Sequence, residues 1–230
     1  MGCMADASAP DALLDEPIVG WRAWNLSATD GDPLLEPAGS GTGAWQPRQA
    51  LAARCRAPAL LTGVVGRHDA PDARCTCGIY AARSLDTFER NRPAWPPPTV
   101  IGTIALWGRI VEHERGWRAR YAYPSRLRLV CAVCAWVEPG SGVPAVMHGF
   151  AGRLFALCQE HRGGIELPDG RRTRATSNDP PAIQARLLDA YAVDLLPTEA
   201  VDRLFARPPS PAVAAYIPSI RIVPGDTPDR

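Results

Sequence analysis

Two short pairs of residues limit how the second half of this chain can run. Cys131-x2-Cys134 is followed, after 23 intervening residues, by Cys158-x2-His161. Each pair fits one tight turn. Closing the loop between the turns gathers three sulfurs and one imidazole. This is the spacing of a zinc ribbon or treble clef, and the donor set fills a tetrahedral Zn²⁺ with no position left open, as structural sites do. Most of the energy of binding such an ion is folding energy, on the order of 10–16 kcal/mol in zinc-finger peptides. Buried core cysteines are the competing reading, and two paired motifs at this separation favour ligands. His148, between Met147 and Gly149, is a secondary candidate to replace one ligand.

A second set lies upstream. The stretch "CTCGIYA" holds Cys75 and Cys77, and Cys55-x12-His68-x6-Cys75-x-Cys77 again makes three sulfurs and one imidazole. Gly63, Gly66 and Pro71 let the chain turn between ligands, and the segment from Arg67 to Arg74 is polar. A redox pair would be Cys-x-x-Cys in a βαβ setting, and neither is present. The expectation is therefore two zinc ions, both mainly structural. An open first site with a water ligand is the subordinate possibility.

Cysteine usage supports ligands over disulfides. Seven cysteines cannot all pair. Residues 1–17 lack the basic start and apolar run of a secretory signal, and Asp6 stands where myristoylation wants Ser or Thr. No apolar run reaches the ~18 residues of a membrane span. A cytoplasmic protein without membrane contact is expected, and there thiols stay reduced.

Net charge is +1, so no global field points to nucleic acid or membrane. All 25 basic residues are Arg, which with abundant Ala, Gly and Pro reads as GC-rich coding bias. An Arg cluster is then weaker evidence of function than usual. Arg126, Arg128, Arg153 and Arg162 flank the second ligand set in sequence and are the candidate nucleic-acid contacts.

The fold expected is α+β, with a β-rich body (barrel-like or a twisted antiparallel sheet), zinc-knuckle modules and a helical C-terminal segment. Residues 1–16 read as a disordered tail. Residues 17–127 read as the β body with the first zinc site, and 128–166 as the ribbon or treble-clef module. A helical segment covers 167–207, and a Pro-rich extended tail 208–230. Within the body, residues 17–27 read as a strand, 29–33 as a turn and 38–43 as a loop. Residues 49–55 could be helix or strand. "GIYAARS" suits a strand, and Ser84 an N-cap for a short helix over 84–92, before the stiff "WPPP". From about 100 to 123 a long hairpin is predicted. Ile104, Leu106 and Ile110 share one parity there, and Trp107, Arg109, Val111 and His113 the other. "GWRA" recurs at 20–23 and 116–119, as two strands each entered from Gly with a Trp anchor. Asn178 or Asp179 caps a helix with the stripe Ile183, Leu187, Leu188 and Tyr191. Thr198 is predicted to cap a second helix over 198–207.

Catalytic signatures are sparse. Glu112-His113-Glu114 is the one further acid–base cluster, and it is not His-Glu-x-x-His. An exposed hairpin end pairing with Arg109 and Arg115 is favoured, with His113, Glu112 and Glu114 as weak catalytic candidates. No Gly-x-Ser-x-Gly, P-loop or Gly-x-Gly-x-x-Gly occurs, and "GSGTG" lacks the helix and Lys of a phosphate cradle.

Gly-Trp-Arg-Ala-Trp (20–24), Trp45-x-Pro47, Cys55, His68, "CTCGIYA", "ALWGRIVEHERGWRARYAYP" and "LCQEH" together resemble an uncharacterised actinobacterial and phage-associated group of small zinc-binding proteins. The resemblance spans about residues 18–161. It implies a shared architecture and supports Cys55, His68, Cys75 and Cys77 as one set, and it supplies no mechanism. The function expected is a zinc-stabilised, non-catalytic binding protein, an adaptor or regulator whose exposed Trp and Pro segments meet a protein partner. A nucleic-acid-binding zinc protein is the alternative, and a zinc-dependent enzyme using the first site a lesser one.

Overall fold

The computed structural model describes residues 16–27, 32–38, 43–55, 68–89, 97–206 and 220–223. Its organising element is the predicted hairpin, β5 (Val100–His113) and β6 (Gly116–Leu129). It is longer than the sequence suggested, because β6 runs past Tyr123 through Pro124 to Leu129. Register shifts at Thr103/Ile104 and Trp107/Ile110 bend the pair, the second at Gly108 with φ 76°.

The bent hairpin closes a ring. β1 (Ile18–Ser27) pairs with β5 along Ile18–Trp24, and β5 pairs with β6. β6 pairs with β4 (Ile79–Ala82), and β4 returns to β1 at Trp21↔Ala82. The body is thus barrel-like and antiparallel. The two "GWRA" segments lie on either side of β4, Trp21 opposite Ala82 and Trp117 opposite Ala81. Their glycines allow the close approach. A Cβ on Gly20 would lie 2.6 Å from the Ala81 Cβ, and one on Gly116 would lie 2.0 Å from the Ala81 carbonyl oxygen.

The rest of the sheet grows from β1, whose far end also pairs with β2 (Leu34–Pro37) and β8 (Arg153–Leu157). β8 forms a hairpin with β7 (Val146–Phe150), turning at Ala151-Gly152 with both φ positive, as a tight two-residue turn requires. Residues 146–157 therefore share one ten-stranded sheet with the body. β3 (Leu51–Ala52) settles the helix-or-strand question for 49–55 as a short strand beside Tyr121 and Ala122. Ser84 caps α1 (Leu85–Glu89), accepting from the Thr87 N–H at 3.2 Å. Past β6 and a short helix, α2 (Ala132–Trp136), come β9 (Ile165–Glu166) and the edge strand β10 (Arg174–Ala175).

α3 (Pro180–Tyr191) begins as expected. Asp179, rather than Asn178, is the cap, accepting from Ala182 N–H at 3.1 Å. Its stripe Ile183, Leu187 and Tyr191 is buried against Trp24, Leu26, Leu35 and Trp45, while Leu188 is only partly covered. Tyr191 ties this core together. Its hydroxyl accepts from Leu35 N–H at 3.0 Å and donates to the Trp45 carbonyl. Trp24 and Trp45 meet edge to face, 5.6 Å between centroids.

Two expectations fail. The helix over 198–207 is broken after β11 (Asp194–Leu195) into a 3₁₀ turn (Thr198–Ala200) and α4 (Asp202–Phe205), and Thr198 is no cap. Between the pieces Val201 is fully buried with φ −117°, so its packing wins over helical continuity. Among the described residues the tryptophans are also not displayed to solvent. Trp24, Trp45 and Trp136 are buried, and Trp21, Trp107 and Trp117 are half-buried. Each is worth more as core area than as exposed bait. The tail 1–15, the turn at 29–31, most of 38–43, Gly63 and Gly66, residues 90–96 and the Pro-rich 208–219 lie outside the described residues. Beyond them β12 (Arg221–Ile222) pairs with β9.

Candidate metal centres

The second ligand set is assembled by the ends of two strands. β6 stops at Leu129, and Cys131 follows as the N-cap of α2, its sulfur accepting from Cys134 N–H at 3.5 Å. β8 stops at Leu157, and Cys158 begins a turn closed by His161 N–H to the Cys158 carbonyl at 3.2 Å. All four residues are buried. The Cys134 and Cys158 sulfurs lie 3.6 Å apart. Nδ1 of His161 lies 3.5, 3.4 and 3.1 Å from the sulfurs of Cys131, Cys134 and Cys158. A zinc tetrahedron with Zn–S of about 2.3 Å and Zn–N of about 2.0–2.1 Å has S···S edges of ~3.8 Å and S···N edges of ~3.6 Å. The four separations of 3.6, 3.5, 3.4 and 3.1 Å are those of such a tetrahedron's edges, contracted by a few tenths of an ångström.

The surroundings are shaped to that end. His161 turns Nδ1 to the sulfurs and Nε2 to Glu138 Oε1 at 2.7 Å, so Nε2 donates and Nδ1 is left as the ligand atom. A Cβ at Gly140 would lie 2.6 Å from the Cys134 sulfur, so only glycine passes there. Burial disfavours charge on His161, but hydrogen bonds to Cys131, Cys158 and Glu138 outweigh it and push its pKa up to about 11. Hydrogen bonds from Cys131 and Cys134 hold the Cys158 thiol far below the ordinary range. Hydrogen bonds with Cys131 and Cys158 push the Cys134 thiol up in turn, so the negative charge of the set is concentrated on Cys158, beside His161.

The first set is built on the ring. Cys55 follows β3, and Cys75 and Cys77 lie in the turn before β4. The Cys55 and Cys75 sulfurs are 3.7 Å apart, and His68 Nε2 is 3.2 Å from the Cys77 sulfur. All four donor atoms lie within 4.8 Å of one another. Cys75 is buried and the other three are half-buried. Burial, reinforced by the neighbouring Cys75 sulfur, pushes the Cys77 thiol up to about 11. Arg118 of β6, 8 % exposed, holds this turn from inside. Its Nη1 donates to the carbonyls of Cys75, Cys77 (3.0 Å) and Asp72 (3.3 Å). Three thiolates around a divalent ion carry one net negative charge, and Arg118 supplies the balancing positive one. Gly78, φ 124°, has no room for a side chain between Arg118 and Pro71.

Both quartets named from the sequence are therefore brought together, and each could hold a metal ion. The sequence missed what surrounds them. Glu138 and Arg118 carry no spacing signal, and a strand Arg reads as solvent-facing until the ring closes over it. His148 is no ligand. It is buried beside the second site, with Nε2 donating to the Arg162 carbonyl at 2.9 Å and Nδ1 facing Thr173 Oγ1 at 3.1 Å. It braces the turn just after His161.

The other candidates are dispersed. Glu112 pairs with Arg83 at 2.5 Å. His113 is half-buried beside the Tyr80 ring at 6.1 Å, its pKa lowered by burial and by Arg118, Arg115 and Arg83. Glu114 is exposed at the hairpin end. None of the three belongs to a ligand quartet. Arg128 donates through Nε to the Leu196 carbonyl at 2.5 Å, and Arg153 pairs with Glu36 at 3.2 Å. Arg126 stands opposite Asp194 on the parallel strand β11.

Comparison with protein-family models, curated proteins and solved structures found no match. No helix among the described residues is long and apolar enough to cross a membrane.

Proposed function

We propose that the protein is a zinc-stabilised, non-catalytic binding protein of the cytoplasm, an adaptor or regulator whose two zinc ions are structural. The observation that carries this reading is the donor count. Each quartet supplies four ligand atoms within 4.8 Å of one another, as many as a closed tetrahedral site takes. Catalytic zinc keeps one position for water or substrate, and neither quartet leaves one. The soft donors, three thiolates and one imidazole at each site, select zinc over the hard cations. Both sites also sit where they hold strands together, the first between β3 and β4 and the second between β6 and β8.

X-ray absorption on the zinc-loaded protein tests this. Three sulfurs at about 2.3 Å and one nitrogen at about 2.0 Å per zinc are expected. An oxygen ligand in the average shell would overturn the closed first site and return the enzymatic reading.

A further inference from the structure

Away from both quartets, the β7–β8 turn, the loop before β10 and β10 itself surround a groove of about 960 Å³. Arg153, Arg171, Arg172 and Arg174 line it, and no acidic side chain among the described residues does. The groove adjoins a smaller pit of about 210 Å³ walled by Pro97, Phe150, Phe155, Ile165 and Leu167. Arg153 and Arg171 border both spaces. We propose that this groove and pit bind a base-plus-phosphate unit, as found in single-stranded nucleic acid or in a free nucleotide. The proposal rests on the reading of the chain as a zinc-stabilised binding protein and names its ligand class.

Charge is the first argument. A chain of net charge +1 sets four guanidinium groups around one concavity. Three are held in place by carboxylates: Arg153 by Glu36 at 3.2 Å, Arg171 by Asp169 at 2.6 Å, and Arg172 by Glu166. In Arg153 and Arg171 the contact uses Nε. The outer fork of each guanidinium, with four of its five N–H donors, then offers the planar face that matches a phosphate. Arg174 adds an exposed cation on the edge strand, opposite Gly149.

Shape is the second. The Arg171 guanidinium lies over the Phe150 ring, 5.2 Å from its centroid. Phe150, half-buried, thus offers an apolar, aromatic wall beside the cations, backed from beneath by the buried Phe155. A base stacked on an aromatic ring, with its phosphate on adjacent arginines, is how single strands are held without sequence preference. An acidic peptide would satisfy the arginines and leave the aromatic wall without a flat partner.

The groove also depends on the second metal site. Thr173 lines it, and its hydroxyl meets both His148 and the Ile165 N–H. His148 in turn grips the carbonyl of Arg162, the residue after His161. Ordering of the ligand turn is thereby passed to the groove wall.

Fluorescence anisotropy of the full, zinc-loaded chain with labelled octathymidylate tests the proposal. Binding that weakens with salt is expected. In Arg172→Ser/Arg174→Ser the salt slope should fall by about 0.7 for each phosphate no longer neutralised. Phe150→Ala should weaken binding by about tenfold and leave the slope unchanged. Displacement of the oligonucleotide by free thymidine monophosphate, at equal nucleotide concentration, identifies the mononucleotide as the ligand; failure to displace identifies the strand. Zinc content and circular dichroism of each variant separate loss of binding from loss of fold. If the wild type holds its zinc and binds neither probe, or the variants bind as it does, or a Phe-containing oligoglutamate peptide binds as tightly as octathymidylate, the proposal is wrong while the zinc reading stands.

Discussion

Arg118 donates to the backbone carbonyls of both Cys75 and Cys77, the latter at 3.0 Å, from near the start of the strand that closes the ring. The first ligand turn is thus fastened by a side chain 41 residues beyond Cys77.

Replacing that side chain should loosen one metal and spare the other. Arg118→Leu removes the hydrogen bonds and the balancing charge together. Zinc affinity at the first site should fall by about 10–100-fold, as when other supporting partners of metal ligands are removed. Arg118→Lys should restore only part, since a compact ammonium cannot reproduce the fork. Titration with a chromophoric chelator reads the two sites as separate phases, and only the weaker phase should move.

The second site has its own support in Glu138, 2.7 Å from His161 Nε2. Glu138→Gln keeps the shape and loses the charge. Zinc at that site should exchange about tenfold faster or more, again with the other site unchanged. Equal release in wild type and variant would make Glu138 a bystander.

Gly116 tests the closure of the ring. Gly116→Ala puts a methyl group 2.0 Å from the Ala81 carbonyl oxygen, with a backbone φ of 154° that a side chain disfavours. The strands must part, and a loss of about 1–3 kcal/mol in chemical denaturation is expected. Gly43→Ala meets nothing within 4 Å and serves as the neutral control.

His148 gives the protein an acid sensitivity of its own. Burial lowers its pKa in the folded chain below the ordinary 6.5. Above that value both states hold it neutral, and no stability is at stake. As the pH falls below it, the unfolded chain takes up a proton that the folded chain refuses, so stability declines. His148→Gln should be less stable at pH 8, through missing hydrogen bonds, yet show a shallower decline between pH 6.5 and 5. Parallel stability curves would contradict this.

What the sequence revealed was local. Cys131-x2-Cys134 and Cys158-x2-His161 announce themselves because ligand pairs sit on single turns. The β5–β6 hairpin is legible in its alternation, and α3 in its cap and stripe. Closure of the ring was hidden, since Trp21↔Ala82 joins strands far apart in sequence and only Gly20 and Gly116 hint at the close approach. Arg118 and Glu138 were hidden for the same reason. The break at Val201 shows packing overriding helix propensity, and the buried Trp24 and Trp45 show that a run of aromatic residues does not by itself mean an interface. Of the arginines bordering the groove only Arg153 stood out in the sequence; Arg171, Arg172 and Arg174 escaped notice because they come from a loop and an edge strand beyond the ligand pairs.

The central claim is that two quartets each hold one structural zinc. Elemental analysis of metal per chain tests it most directly, in the wild type and in Cys75→Ser. The account predicts two zinc ions per chain, falling to one in the variant, which keeps the second site. One zinc per chain in the wild type, unchanged by the substitution, would contradict it.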